Sequence, residues 1–587
     1  MKQFLKFTLA TIVGIFVVWL LAVLIFFAVA GAIAGSADKS TVLKPNSIYQ
    51  IDLKGTLIER SEDDPFSAAF GHLTHQSVES TMGLDDLLRN IQKAKTDPNI
   101  VGIYLNGGSL IAGIASIEEI RNALLNFKKS GKFIVAYADN YSQGMYYLAS
   151  VSDKILINPE GMLNLKGLSA QTMFLKNTLD KLGVEMQVVK VGTFKSAVEP
   201  FVLTKMSDAN KLQVSVFLNS IWNSLIGEIS ASRKIPVDSL NHYADQMMMF
   251  QPTEKAKQYR LVDSLVYVDQ VDTILKSYLK DKADKEKLIF VKTSALVKVP
   301  DTEKFNKNKV AVIYAVGEIT DEQGDGIVAK DLIKTIHKVT KDSAIKAVVF
   351  RVNSPGGSAY ASEQIWRALE LLKAKKPLIV SMGDYAASGG YYISCLADQI
   401  VAQPTTITGS IGIFGLIPNI QGLNKKLGIT YDGVKTNKMS DAISINRPFT
   451  PEERDLMQNY VNRGYELFVK HCADGRKMKV DQIKAIAEGR VWTGKDALKI
   501  GLVDRIGGLN DAIQIAAQKA KLSSYNISEY PEKEDFATKL MKDFTDDMET
   551  KLIKTQLGER YTLFKQLQQV DKLNGIQAHM PYYFSIE

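Results

Sequence analysis

The chain contains an internal repeat, and that limits the folds open to it. Displaced by 245 residues against itself, the sequence matches Asp97 with Asp342, Ile100 with Ile345, Ala123-Leu124 with Ala368-Leu369 and Ile134-Val135 with Ile379-Val380. The match continues through Tyr146-Tyr147 and Tyr391-Tyr392, Asp153 and Asp398, Pro159 and Pro404, Lys181-Leu-Gly183 and Lys426-Leu-Gly428, and Lys190 and Lys435. Leu261-Val-Asp263 then echoes Leu502-Val-Asp504 at a displacement of 241. The glycines closing the two opening strands, Gly55 and Gly317, stand 262 apart, so the first half carries 17 extra residues (262 − 245) before Asp97. That insertion, roughly 60–85, includes Pro65–His72 and is expected to be a surface loop, with a lid or membrane-facing loop as the alternative. A long-period repeat in 587 residues implies two units of like fold, each with its own core.

Each half alternates strands with helices. Val310–Val316, Ala347–Val352 and Leu378–Met382 are short β-branched runs, and Ala361–Lys373 places Ile365, Leu369 and Leu372 on one helical face. Strand and helix in alternation predict an α/β fold with largely parallel sheets. The units are expected at 46–300 and 301–522, and the charged stretch from Lys533 to about Asn574 suggests a helical tail over 523–587.

The N-terminus bears on the compartment. Lys2 and Lys6 precede a stretch from Phe7 to Ser36 without a charged side chain. A bilayer-spanning helix needs about 20 such residues, and a secretory signal has an apolar core of only about 7–15. Residues 1–36 are therefore expected to be an uncleaved transmembrane anchor, with a long cleavable signal as the alternative. The flanking charges place the N-terminus in the cytoplasm and the rest outside it. The net charge of +8 is spread without a dense basic tract, which argues against nucleic acid as partner. Cys395 and Cys472 have no metal or redox spacing, and no cofactor is expected.

Chemistry is expected where the halves differ. After the strand Pro377–Met382 the second half offers Ala387-Ser-Gly-Gly390 and Thr408-Gly-Ser-Ile-Gly412. A serine among small residues at a strand-to-helix junction suits a nucleophile, because glycine lets a carbonyl approach and the helix N-terminus offers unpaired amides. Alone, the same residues also make an ordinary tight helix–strand crossing. Ser388 falls opposite Gln143, Gly390 opposite Met145 and Ser410 opposite Leu165, so the first half lacks this site. Conversely Lys195, in Val191-Gly-Thr-Phe-Lys-Ser-Ala197, falls opposite Ser440. If the halves pack as pseudo-symmetric partners, a lysine of one meets the serine of the other. Such a pair needs no histidine, and none of the six histidines adjoins the serine motif in sequence. The lysine must be neutral, which burial favours. Ser410 can orient the amine. The oxyanion would face the Gly389 amide and a second amide from Gly356 or Gly357. Lys438 reads as a solvated charge.

At Arg351–Ser358, Ala387–Gly390, Thr408–Phe414, Val191–Ala197 and Glu488–Gly494 the chain resembles the long, membrane-anchored bacterial signal peptide peptidases of the protease IV family. The resemblance covers the chain to about residue 520. It implies two tandem ClpP/crotonase-like repeats built of ββα units, with Ser388 as nucleophile, Lys195 as general base and Ser410 in support. It also implies a homotetramer in the bacterial inner membrane, with the catalytic portion on the periplasmic side, clearing remnant signal peptides. Rival readings are a broader quality-control protease, a crotonase-type acyl-CoA enzyme and a non-catalytic membrane scaffold.

Overall fold

The computed structural model describes residues 4, 6–21, 42–61, 81–279, 287–300, 306–321, 326–533 and 575–580. Each repeat builds its own sheet. In the first, the strands run in the order Thr81–Gly83, Ser47–Ile58, Ile100–Ile111, Phe133–Tyr141, Lys154–Leu163 and Ser264–Leu265, all pairs parallel, and Ile289–Lys292 also pairs with Ser47–Ile58. In the second, Lys309–Val316, Ile345–Ser354 and Leu378–Ala387 are the parallel centre. Their strands are near-continuous apolar runs such as Val310-Ala-Val-Ile313, wholly buried, as a sheet covered on both faces requires.

The repeat is exact in register across three helix pairs: Leu84–Thr96 with Ala329–Lys341, Ile114–Lys128 with Ala359–Lys373, and Lys176–Leu182 with Gln421–Leu427, each displaced by 245. The long helices Asp208–Arg233 and Pro451–Arg476 are displaced by 243 (451 − 208). The second of these starts at a capping box. Thr450 Oγ1 accepts from Glu453 N at 3.2 Å, and the Glu453 carboxylate accepts from Thr450 N at 2.7 Å.

A third sheet joins the halves. Its order is Ile327–Val328, Ile319–Thr320, Gly356–Ser358, Gly575–His579, Phe414–Asn419 and Glu185–Lys190. Strands from the first repeat, the second repeat and the C-terminus therefore share one ladder. The cores interlock accordingly. Val189 packs in the second repeat's core, and Ala387, Ile407 and Val491 pack in the first. Beneath the junction the buried Arg351 guanidinium meets Glu59 at 2.8 Å and Glu119 at 2.9 Å, both from the first repeat.

The expected helical tail needs correction within the described residues. Asn526–Tyr530 is a strand on the edge of the second sheet, parallel to Lys309–Val316, and Gly575–His579 is a strand of the joining sheet. The first takes the place that Ile289–Lys292 takes in the first repeat, a role that the polar run Ser523-Ser-Tyr-Asn526 hides from a search for apolar periodicity. Residues 534–574 lie outside the described residues, as do 62–80 of the insertion. Of the expected anchor, residues 6–21 are helical and exposed, and 22–41 lie outside the described residues. Among the described residues no helix is long and apolar enough to cross a membrane.

Candidate active site

Ser388 follows the strand Leu378–Ala387 and precedes the short helix Gly389–Tyr392. Its backbone stands at φ 56°, ψ −113°, where a residue with a side chain costs about 1–3 kcal/mol. Its amide is held by Gly409 O at 2.8 Å. Such a strand–turn–helix junction presents a hydroxyl at the edge of a sheet. The small neighbours are needed: a Cβ on Gly390 would stand 2.6 Å from Ser354 O.

Lys195 arrives from the other repeat. Glu185–Lys190 pairs antiparallel with Phe414–Asn419, and Val191 N continues the contact by donating to Ile413 O at 3.1 Å. Phe194 N then donates to Glu488 O at 2.9 Å, and Gln213 Nε2 donates to Phe194 O and Ser196 Oγ, each at 3.0 Å. Gly489 presses against the lysine itself; a Cβ there would lie 2.6 Å from Lys195 Cβ and 2.7 Å from Lys195 Cα and N. Gly489 also has φ +76°, open to glycine.

The loop so held brings Lys195 Nζ 2.7 Å from Ser388 Oγ and 3.1 Å from both Ser410 O and Ser410 Oγ. All three residues are wholly buried. Ser410 Oγ donates to Gly489 O at 3.3 Å, leaving its lone pairs for the amine. Lys195 Nζ donates to all three oxygens, and the Ser388 hydroxyl donates in turn to Gly412 O at 3.5 Å. Burial alone holds the Lys195 amine well below the ordinary lysine range, because the charged form has no water to solvate it.

Gly356 and Gly389 stand side by side: a Cβ on Gly356 would come 2.7 Å from Gly389 N. Gly356 and Gly357 have φ +103° and +151°. Gly356 N donates to Ser354 Oγ at 3.2 Å. The Gly389 amide, first of its helix, has no acceptor within the helix.

The sequence places no histidine beside the serine, yet the fold brings His579 near Lys195. Burial pushes this imidazole down to about 4. Its Nε2 lies 3.9 Å from Glu318 Oε1. Ser388 Oγ bonds Lys195 and, at 3.5 Å, Gly412 O, and not the imidazole. Ser440 and Lys438 are both exposed, and Lys438 pairs with Glu452. The drop in displacement from 245 to 243 falls before the long helices, so either residue can stand as the counterpart of Lys195. Gln213, Gly489 and the C-terminal strand were not legible as site residues. Of these only Gly489 carried a signal, in Glu488-Gly-Arg490.

Residues 126–282 and 370–523 match the family described as peptidase family S49, and residues 305–406 match the Clp protease family. Protease 4 of Haemophilus influenzae is 36% identical over 568 residues, spanning 94% of this chain and 91% of that protein. Protease 4 of Salmonella typhi is 37% identical over 510 residues, spanning 84% and 82%. A putative signal peptide peptidase SppA of Enterococcus faecium is 34% identical over 251 residues, spanning 41% of this chain and 72% of that protein.

Proposed function

The chain belongs to peptidase family S49 as a serine peptidase of the protease 4 type, and we propose that Ser388 and Lys195 are its catalytic pair and signal peptides its substrates. The observation that carries this reading is the 2.7 Å approach of a wholly buried lysine amine to a hydroxyl held at a strained junction. Neutral Lys195 takes the Ser388 proton as Oγ attacks the peptide carbonyl. The oxyanion forms against the Gly389 amide and the Gly356–Gly357 turn. Lys195 returns the proton to the leaving amine, and then activates the water that hydrolyses the ester. Ser410 keeps the amine aimed throughout. The substrate class is supported by the name of the Enterococcus faecium relative.

Anchorage in the inner membrane, with the catalytic portion on the periplasmic side, is part of the proposal. Its support is the uncharged stretch 7–36 and the exposed apolar face of helix 6–21, which includes Ile15, Phe16 and Trp19. Homotetramer assembly is supported by the second repeat's counterpart of Glu185–Lys190. Thr430–Lys435 lies exposed, with Tyr431 and Val434 uncovered, where the first repeat's strand bridges to a neighbouring repeat. A head-to-tail contact of that kind gives a ring where its rotation closes. The test is hydrolysis of apolar peptides by the detergent-solubilised chain beside Ser388→Ala and Lys195→Ala. Both should lose activity by about a thousandfold or more while remaining folded and assembled. A Lys195→Ala variant as active as the parent would place the base elsewhere.

A further inference from the structure

Lys195 rides on residues 191–198, which form neither helix nor strand, yet its amine reaches a serine of the other repeat at 2.7 Å. One side chain of the long helix Asp208–Arg233 grips this loop from both ends. Gln213 is buried, and its amide nitrogen donates to Phe194 O and to Ser196 Oγ, on either side of Lys195, each at 3.0 Å. Its amide oxygen accepts from Val491 N, of the second repeat, at 3.3 Å. A single carboxamide therefore ties both flanks of the lysine to the repeat that carries Ser388. The amide is itself oriented from behind. Its two N–H bonds serve three oxygens, the third being Asn210 Oδ1 at 3.1 Å. Asn210 Nδ2 donates to Glu199 Oε2 at 2.8 Å, and Ser207 Oγ donates to Glu199 Oε1 at 2.5 Å. Glu199, Asn210 and Gln213 are all buried, and no buried side-chain nitrogen or oxygen among them lacks a partner. A buried network satisfied in this way is rigid. The repeat supplies an internal comparison. At the displacement of 243 that relates the long helices, the counterpart of Gln213 is Leu456, which is 57% exposed. The half without the catalytic lysine also lacks the side chain that grips the loop.

We propose that Gln213 is the positioning residue of the catalytic pair, holding Lys195 by both its neighbours against the second repeat so that the amine stays aimed at Ser388 and shut off from water. The inference rests on the reading of Ser388 and Lys195 given above and adds what aligns them across the two repeats. It also separates aiming from mere folding. Glu199, Glu488 and Arg490 flank the loop and His579 lies near the amine, yet burial is what holds the amine below the ordinary lysine range. A loop released toward water therefore titrates higher, whereas a protein that only melts earlier keeps its titration.

The test compares the full detergent-solubilised chain with Gln213→Leu, which installs the residue that the counterpart position carries, and with Ser220→Ala. Ser220 lies seven residues further along the same helix and bonds Thr493 Oγ1 at 2.9 Å and Asp496 Oδ2 at 2.8 Å, both of the second repeat. Ser220→Ala thus cuts bonds between the repeats without touching the lysine loop. The substrate is a quenched fluorescent apolar peptide, followed across pH, with thermal unfolding to show that each variant is folded. Gln213→Leu should lower kcat about a hundredfold with KM little changed. Its pH inflection should move up toward the ordinary lysine value of about 10.4. Ser220→Ala should keep both the turnover and the inflection of the parent. The proposal is overturned if folded Gln213→Leu leaves either kcat or the inflection unmoved. It is also overturned if Ser220→Ala shows the same losses, since the helix then only holds the repeats together. Should Gln213→Leu fail to fold, Gln213→Glu decides, because it keeps the acceptor for Val491 N and loses the donor to Phe194 O. Its kcat, read above the inflection, should fall comparably, and the parent's kcat there overturns the proposal. Lys195→Ala run alongside separates the two readings: its retained activity sinks the assignment of the base, whereas an unchanged Gln213→Leu sinks only the role of the glutamine.

Discussion

Gly489→Ala tests how the lysine is held. The residue touches neither Ser388 nor the C-terminal strand in the contacts described, but a methyl there would sit 2.7 Å from Lys195 Cα and N, where ordinary contact begins at 3.4 Å. Both contacts are backbone atoms, so a side-chain rotation cannot relieve them. The loop carrying Lys195 must retreat by about 0.7 Å, the difference between those distances. The amine now stands 2.7 Å from Ser388 Oγ, and a misplacement approaching 1 Å costs about a hundredfold in rate. The expected result is kcat lowered about a hundredfold with KM little changed. The alanine also occupies φ +76°, which costs about 1–2 kcal/mol of stability by itself. Gly131→Ala isolates that second effect, because Gly131 has φ +79° and nothing within 4 Å of a Cβ. Gly131→Ala should lose only that φ cost in thermal unfolding, Gly489→Ala should lose more because the clash adds to it, and only Gly489→Ala should lose turnover. A folded Gly489→Ala protein with kcat within about threefold of the parent would refute the claim that this contact sets the lysine's position.

Two further outcomes follow from buried charge. Arg351→Met leaves Glu59 and Glu119 buried without their shared cation, which costs about 3–5 kcal/mol; thermal unfolding should show a large fall in midpoint, and adding Glu59→Gln and Glu119→Gln should recover most of it. If Arg351→Met unfolds like the parent, the junction between repeats does not depend on this cluster. With Lys195 as the proposed base, kcat/KM should rise with pH through an inflection below the ordinary lysine value of about 10.4. Across the window between the depressed folded pKa and that value, the unfolded chain binds the proton that the folded chain releases. Stability therefore rises with pH there, and Lys195→Met should melt higher than the parent at neutral pH while being inactive. An inactive Lys195→Met that melts lower would show that the amine is not held neutral by burial.

The repeat, the alternation of strand and helix, and the complementary loss of Ser388 from one half and of Lys195's environment from the other are legible in the residues alone. These are local patterns: three pairs of helices fall in register at a displacement of 245 because each amphipathic run forms its element wherever it occurs. Other properties are not local. Lys195 and Ser388 are 193 residues apart and meet through a strand that leaves one repeat for the other, a pairing no periodicity encodes. The sequence aligned Lys195 with Ser440, and only the long helices, displaced by 243, open 438 as the alternative, because two residues are lost in a loop with no regular pattern to register them. The C-terminal strand was hidden for a related reason, since a short run such as Gly575-Ile-Gln-Ala-His579 becomes a strand only when two edges are already there to receive it. The lysine's chemistry lies furthest from the sequence. In Phe194-Lys195-Ser196 it reads as an ordinary cation, and its amine is pushed toward the neutral form only because both repeats close over it and remove the water that would keep it charged.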